Sequence, residues 1–375
     1  MKIALLGFGT LGQGIYRILE RKREELERYA GQTVEIKKIL VRDPQKPRGV
    51  PIEGLPLTAS FQEILQDESI ELVFEVMSSG SKGIEYNARL LEAGKQVISA
   101  NKAAVAASFF ELQETARKSG VHFRFEAAVG GGIPLLDPLG KISRLNEVDR
   151  LTGILNASTN YILTETCTGQ EENKVLQEAR RLGILEEDPA DDLEGFDARR
   201  KLAILASMLL KQEIDELQIP TIGICRLSAP DFDWAGSQGR QLKLVASLIK
   251  QNDTYCLSVL PTALEKDHPM ARTAGLMNRV LLEADLTGPL SFHGLGGGMD
   301  TVAHALWTDF FEVVHSQPVY FSRQPFARED GSLDREADFY LRKETDSDGQ
   351  VTRMSLARAL DHDRQGWVVI EKGAP

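Results

Sequence analysis

The sequence predicts an α/β protein whose N-terminal third is a doubly wound parallel sheet. Three observations predict it. A short apolar run, Lys2–Leu6, leads directly into Gly7-Phe8-Gly9-Thr10-Leu11-Gly12 and then into a helical pattern. Apolar runs and amphipathic segments keep alternating to about residue 126, as strands joined by crossover helices do. At 375 residues the chain is also too long for one ordinary core, so two or three domains are expected.

Lys2–Leu6 reads as the first strand. In the helix that follows, Leu11, Ile15, Ile18 and Leu19 share one face, and charges run from Glu20 to Arg28. Glycines at this spacing serve a tight turn, a close approach to a pyrophosphate and helix–strand packing, and the helix N-terminal amides meet the phosphates. Gly7, Gly9, Thr10, Leu11 and Gly12 are therefore candidate cofactor-binding residues of a Rossmann-type sheet. Val34–Val41 reads as the second strand and Glu71–Val76 as another. Ile84–Ala93 is a helix, Gln96–Ser99 a strand, Ser108–Lys118 a helix and Val121–Glu126 a strand. Where the second strand of such a sheet ends, an acid usually meets the ribose hydroxyls of NAD, and a basic residue accommodates a 2′-phosphate. Here the chain has Val41-Arg42-Asp43, then Lys46 and Arg48. Arg42 favours NADP, and Asp43 keeps NAD possible.

Composition narrows the partners. Hydrophobic residues make up 42% and charged residues 26%, as in a soluble globular protein, and the net charge of −11 argues against nucleic acid. The first fifty residues run the other way, with eleven Lys/Arg against six Asp/Glu, which suits a small polyanion such as a nucleotide. Cys167, Cys225 and Cys256 are widely spaced and support neither a disulfide scaffold nor a zinc site. A cytoplasmic setting is expected, with no membrane partner: no uncharged apolar run spans a bilayer, and glycines interrupt the apolar stretch after Met1.

Four further stretches carry chemistry. Ser99-Ala100-Asn101-Lys102-Ala103 lies at the C-terminal end of a strand, where ligands bind in such sheets. Glu126 to Pro134 is a Gly-rich bend with one carboxylate, suited to a hard monovalent cation or to a tight hinge. Asn156-Ala157-Ser158-Thr159-Asn160-Tyr161 is a polar cluster after an apolar strand. Between Glu186 and Lys201, seven of sixteen residues are carboxylates and the run ends on a lysine. Pro189 and Gly195 make its first part turn-like, and Asp197 is placed to cap a helix carrying Lys201 one turn later. Such a run is either a solvated loop or a trap for an ammonium group with a proton donor beside it.

The chain resembles homoserine dehydrogenase. The resemblance rests on Gly7–Gly12, Glu75-Val76-Met77, Ala100-Asn101-Lys102, Glu126–Pro134, Leu155–Leu163, Glu186–Lys201 and Gly294–Thr301, in order over about residues 1–315. It implies reversible hydride transfer between aspartate 4-semialdehyde and homoserine, in threonine, methionine and isoleucine biosynthesis. It also implies that Lys201 and Lys102 are the catalytic lysines. Glu186 and Asp192 would hold the substrate's ammonium, with Ser158 also at the substrate and Asp197 orienting Lys201. Arg42 would meet the 2′-phosphate of NADP, and Asn101, Lys102 and Gly298 would join the cofactor contacts. Glu126, with the carbonyls of Val129, Gly131 and Ile133, would form a sodium site.

The domains implied are a nucleotide-binding domain of residues 1–134 and about 293–321, and an α+β catalytic and dimerisation domain of 135–292 with a mixed sheet. A C-terminal tail of 322–375 follows, in which Phe339–Leu341, Met354–Leu360 and Trp367–Ile370 could be strand, helix and strand of a shortened regulatory domain. A homodimer is expected. His293 and His304 have no second ligand at metal spacing, and a structural role is expected for both. The chain departs from the family at three places: Ser78-Ser79 stand where two glycines are common, Ala157 where a glycine is, and Asp300 where a proline is. They motivate two alternatives, a non-catalytic nucleotide-binding paralogue with a regulatory role and a dehydrogenase for a related amino-acid semialdehyde.

Overall fold

The computed structural model describes residues 1–51, 53–185, 188–251, 253–324 and 328–373. They form two compact units, one of residues 1–138, 211–213 and 297–324, the other of 139–210, 214–296 and the C-terminal segment.

The first unit is built on β1 (Lys2–Leu6), α1 (Thr10–Ala30), β2 (Glu35–Leu40), β3 (Leu57–Thr58), α2 (Phe61–Leu65), β4 (Leu72–Glu75), α3 (Gly80–Glu92), β5 (Gln96–Ser99), α4 (Lys102–Ala107), α5 (Phe109–Ser119) and β6 (Phe123–Arg124). All six strands are parallel, in the order β3-β2-β1-β4-β5-β6. The order reverses between β1 and β4, so the carboxyl ends of these strands bound the crevice where ligands bind in open sheets. β1 and β4 are almost wholly apolar and buried, as central strands covered on both faces must be.

Two local capture events set the loops at that crevice. The Glu75 carboxylate, fully buried, accepts hydrogen bonds from Met77 N, Asn87 Nδ2, Ser99 Oγ and Asn101 Nδ2. Asn101 in turn caps α4 by accepting from Ala104 N. Glu126 behaves similarly. The expected strand Val121–Glu126 shrinks to Phe123–Arg124, because the chain turns at a 3-10 turn, Glu126–Ala128. There the Glu126 carboxylate accepts from the amides of Leu135, Leu136 and Asp137, and its own amide donates to Asp309. These groups are thereby taken out of the sheet.

The three amides open α6 (Leu136–Ile142), which leads into the second unit. That unit begins with β7 (Val148–Ile154), α7 (Ala157–Cys167), α8 (Glu172–Arg181), α9 (Ala190–Leu193), α10 (Phe196–Leu210), α11 (Ala229–Ser237), β8 (Arg240–Gln251), β9 (Thr254–Glu265), β10 (Met277–Ala284) and β11 (Leu290–Leu295). The chain then returns to the first unit as α12 (Met299–His315). Ala303, Leu306, Trp307 and Phe310 of α12 share a core with Ile15 and Leu19 of α1. Gly14 is required at that crossing, since a Cβ there would lie 2.9 Å from Met299 and 3.0 Å from Ala303. The last segment adds β12 (Glu329–Asp330), β13 (Glu336–Lys343), β14 (Gln350–Ser355), α13 (Leu356–Arg364) and β15 (Trp367–Lys372) to the second unit.

The second sheet is mixed, in the order β11-β10-β7-β8-β9-β15-β13-β14, with β12 also on β9. β8 and β9 form a long antiparallel hairpin that is buried along nearly its whole length. The strand, helix and strand read at Phe339–Leu341, Met354–Leu360 and Trp367–Ile370 form as β13, α13 and β15, and the strands continue this sheet. A second strand, β14, occupies Gln350–Ser355 because it pairs antiparallel with β13. Among the described residues no helix is long and apolar enough to cross a membrane.

Lys243 lies inside β8 with 2% exposure. Its ammonium donates to Asn160 Oδ1, Thr164 Oγ1 and the Thr273 carbonyl at 2.7–2.9 Å. Burial lowers its pKa from 10.5 to about 8. The folded state thus binds fewer protons than the unfolded chain between those values, and this group's contribution to stability rises with pH across that window. Lys243→Met leaves three acceptors without their donor and is expected to lower the unfolding free energy at pH 7 by about 1–3 kcal/mol in urea titrations. The gap between the two proteins should widen from pH 8 toward pH 10.

Candidate active site

In the first unit the glycine turn has the geometry that the sequence spacing requires. Gly7 has φ +103°, and a Cβ on Gly12 would lie 2.3 Å from the Gly7 carbonyl oxygen. Gly9 precedes α1, and no side chain caps the helix's first-turn amides, which leaves them open to a phosphate. Beyond β2, Arg42 is exposed. One oxygen of Asp43 accepts from Gln45 N at 2.8 Å, while Arg48 donates to the Asp43 carbonyl and lies 6.0 Å from the Phe8 ring. Arg17 donates to the Gly49 carbonyl, so residues 42–49 fold against the start of α1. These residues fit a dinucleotide. Asn101 and Lys102 sit at the carboxyl end of β5, with Lys102 as the first residue of α4. Gly298 precedes α12 with φ +110°. Gly130 and Gly131 both have positive φ in the bend that Glu126 organises, and Thr301 presses so closely on Gly132 that a Cβ there would lie 2.1 Å from its methyl.

In the second unit the acidic run folds as α9, a turn at Gly195 and α10. Asp197 lies within the first turn of α10 and not before it as a cap. Its carboxylate faces the residue one turn on, 2.7 Å from Lys201 Nζ. Lys201 also donates to the Leu155 carbonyl at 2.8 Å, and Asn278 Nδ2 donates to the same oxygen at 3.2 Å. Asn156 caps α7 with its side-chain oxygen, while its Nδ2 lies 2.6 Å from Asp192 and 2.9 Å from Asp197. The pKa of Asp192 is raised, first by burial and then by the Asp197 charge, with the Asn156 bond pulling the other way. Ser158 Oγ donates to the Ile184 carbonyl at 2.9 Å. Lys201, Asp192 and Asp197 are therefore brought together, and Glu186 lies outside the described residues.

Two acids that had no role in the sequence reading acquire structural ones. Asp191 pairs with Arg200, tying α9 to α10, and Asp188 accepts from Ala190 N. Sequence reasoning missed Asn278 and the Leu155 carbonyl as partners of this cluster. The available signal was a lone amide at the start of β10, next to an apolar run. His293 and His304 are both exposed, and no group of His, Cys, Asp or Glu among the described residues could hold a metal ion.

The departures also find ordinary positions. Ser79 has φ −83° and caps α3 through Lys82 N, Ala157 is the first residue of α7, and Asp300 is exposed in the first turn of α12, where a carboxylate suits the helix dipole. None of the three sits in a backbone conformation that requires glycine.

Comparison with known proteins fits this arrangement. Residues 7–126 match the family described as "Homoserine dehydrogenase, NAD binding domain", and residues 134–311 match "Homoserine dehydrogenase". The homoserine dehydrogenase of Pseudomonas aeruginosa is 34% identical over 317 residues, covering 84% of this chain and 73% of that one. That of Corynebacterium glutamicum is 37% identical over 318 residues, covering 82% and 70%. The chain belongs to the homoserine dehydrogenase family. Among solved structures, a homoserine dehydrogenase from Thiobacillus denitrificans aligns with a TM-score of 0.88 at 27% identity, over 99% of this chain and 98% of that one. A hyperthermophilic archaeal homoserine dehydrogenase mutant in complex with NADPH aligns with a TM-score of 0.71 at 25% identity, over 83% and 97%. As a homoserine dehydrogenase the chain is an oxidoreductase with an NAD(P)-binding Rossmann-type unit.

The glycine turn gives a direct test. Gly12→Ala drives a methyl into the Gly7 carbonyl and is expected to weaken binding of reduced nicotinamide cofactor about tenfold or more, with circular dichroism unchanged. Titration of the cofactor's fluorescence measures it.

Proposed function

We propose that this homoserine dehydrogenase is a cytoplasmic, NADP-dependent enzyme that interconverts aspartate 4-semialdehyde and homoserine on the route to threonine, methionine and isoleucine. The observation that carries the role assignment is the cluster in the second unit, where one ammonium, Lys201, lies beside two carboxylates joined through Asn156. The bound nicotinamide supplies or accepts the hydride. Asp192 holds the substrate's α-ammonium, and its shared amide leaves the pair of acids short of positive charge. Lys201 gives a proton to the aldehyde oxygen in reduction and takes it back in oxidation, while its ammonium stabilises the charge that develops there. Asp197 and the Leu155 carbonyl fix Lys201 on α10, and Lys102 is the second lysine assigned a catalytic role. Glu186 is assigned to the same ammonium as Asp192, and Ser158 to the substrate's edge.

NADP is favoured over NAD because Asp43 spends one carboxylate oxygen on its own turn while Arg42 stands exposed beside it. An archaeal homoserine dehydrogenase mutant of similar fold has been solved in complex with NADPH, which supports this reading. At the bend, the carbonyls of Val129, Gly131 and Ile133 are assigned as neutral donors beside Glu126, whose carboxylate already accepts three amide hydrogens. Such a donor set suits sodium better than a divalent ion. The second unit is the proposed dimer element, and among the described residues the outermost strands β11 and β14 leave unpaired sheet edges.

With purified protein and homoserine, turnover is expected at the nicotinamide absorbance, faster with NADP than with NAD; no turnover with either cofactor would sink the proposal. Lys201→Ala should reduce kcat by about 10²–10⁴-fold. Arg42→Ala should raise KM for NADP and leave KM for NAD unchanged. Burial raises the pKa of Asp192, so it protonates at a higher pH than an ordinary aspartate. KM for homoserine should therefore rise on acidification while the pH is still above the usual aspartate range. Asp192→Asn should bind homoserine weakly with that pH dependence gone.

A further inference from the structure

We propose that the C-terminal segment Glu336–Lys372 is a brace that holds the acidic turn Pro189–Asp197 in its substrate-binding geometry. The inference rests on the assignment of Asp192 to the substrate's ammonium. α9 has only four residues and carries Asp191 and Asp192, with Glu194 next to it, so neither helix length nor internal charge can hold it in place. Its support comes from outside. Leu193 O accepts from Ile224 N at 2.7 Å, and Gly223 lies so close that a Cβ would be 2.3 Å from Leu193 O and 2.5 Å from Glu194 Cα. Gly195, at φ +80°, rests over Thr221 and Val259. The backbone of 220–224 is thus the floor under the acids.

That floor is fixed from its far side by the C-terminal segment. β8 takes one edge of β9 along its whole length, so every other partner of β9 shares the opposite edge. Along that edge lie β12 at Thr254 and Tyr255, Thr221 at Val259, and β15 at Thr262 and Ala263. Ile222 donates to the Val259 carbonyl and joins the apolar cluster of Phe339, Leu341, Met354, Leu356 and Val369. Arg226 donates to the Asp363 carbonyl at 2.9 Å and pairs with Glu344 at 3.2 Å. Buried pairs keep the segment itself stiff. Arg342 pairs with Asp231 at 2.7 Å and donates to the carbonyls of Lys343, Glu344 and Asp346, and Arg335 pairs with Glu371. A loosened cluster releases Ile222, and the turn carrying Asp192 loosens with it.

Phe339→Ala empties the centre of the cluster without touching a residue assigned to substrate or cofactor. The expected result is a rise of about tenfold in KM for homoserine, with kcat within about threefold and cofactor affinity within about twofold of the parent. Hydrogen exchange at the amides of 190–197 should quicken about fivefold or more, with β1, β4 and β5 unchanged. Unchanged exchange at 190–197, or equal losses in substrate and cofactor binding, overturns the brace. Should Phe339→Ala not fold, Ile222→Val supports or overturns the brace by the same readouts, with smaller shifts. Exchange judges the brace even if the parent protein fails to oxidise homoserine, which would instead overturn the proposed function.

Discussion

A single amide nitrogen, Nδ2 of Asn156, lies within hydrogen-bond distance of both Asp192 and Asp197. Two carboxylates brought this close while partly desolvated repel one another, and one amide dipole cannot offset two charges. Lys201 neutralises the inner acid, which leaves the outer one in deficit. A substrate that brings an ammonium group restores the balance, whereas one without it leaves a half-buried charge uncompensated. Much of the second unit follows from this requirement. α7 begins where Asn156 must stand, α10 sets Asp197 and Lys201 one turn apart, and β7 delivers the Leu155 carbonyl to the lysine.

The first unit uses buried carboxylates for a different purpose. Glu75 and Glu126 have no substrate role, and both gather hydrogen-bond donors from loops that would otherwise lack a fixed course. Burial raises the pKa of each, and the donors they collect pull it back down. Asp309 extends the second of these networks. Fully buried, it is pushed up to about 7 chiefly by burial, with Glu126 adding to the rise and Arg124, 3.0 Å away, opposing it. The Gly-rich bend is therefore held by polar contacts at its base, where a longer β6 would have left it to the sheet.

The parallel sheet was legible because local signals and long-range order agree there: strand, glycine turn and helix each carry their own pattern. Lys201 and Asp197 were legible because helical periodicity relates them. Asp197 was misplaced as a cap since an acid at a helix start serves either purpose, and the choice falls to Asn156, which is distant in sequence. Glu126 looked like the end of a strand for the same reason, its true partners being amides nine to eleven residues on. The fate of 336–372 could not be read locally. Its alternation announces strands, but partners distant in sequence, Ile222, Arg226, Asp231 and the second edge of β9, decide which sheet receives them.

The nucleotide-binding unit is assembled mainly from two long, separate stretches of chain, with α12 covering the apolar face of α1. Ile15 and Leu19 leave the ribosome long before Leu306, Trp307 and Phe310 do. At roughly 5–20 residues per second, the stretch between residues 138 and 297 takes on the order of 10–30 s to synthesise. During that time the first strands can pair and α1 can pack on them, yet the apolar surface that α12 will cover stays exposed. The last part of the first unit to form is thus the helix made after most of its neighbour, and the nascent chain carries an exposed apolar surface that a contiguous nucleotide-binding domain would have hidden early.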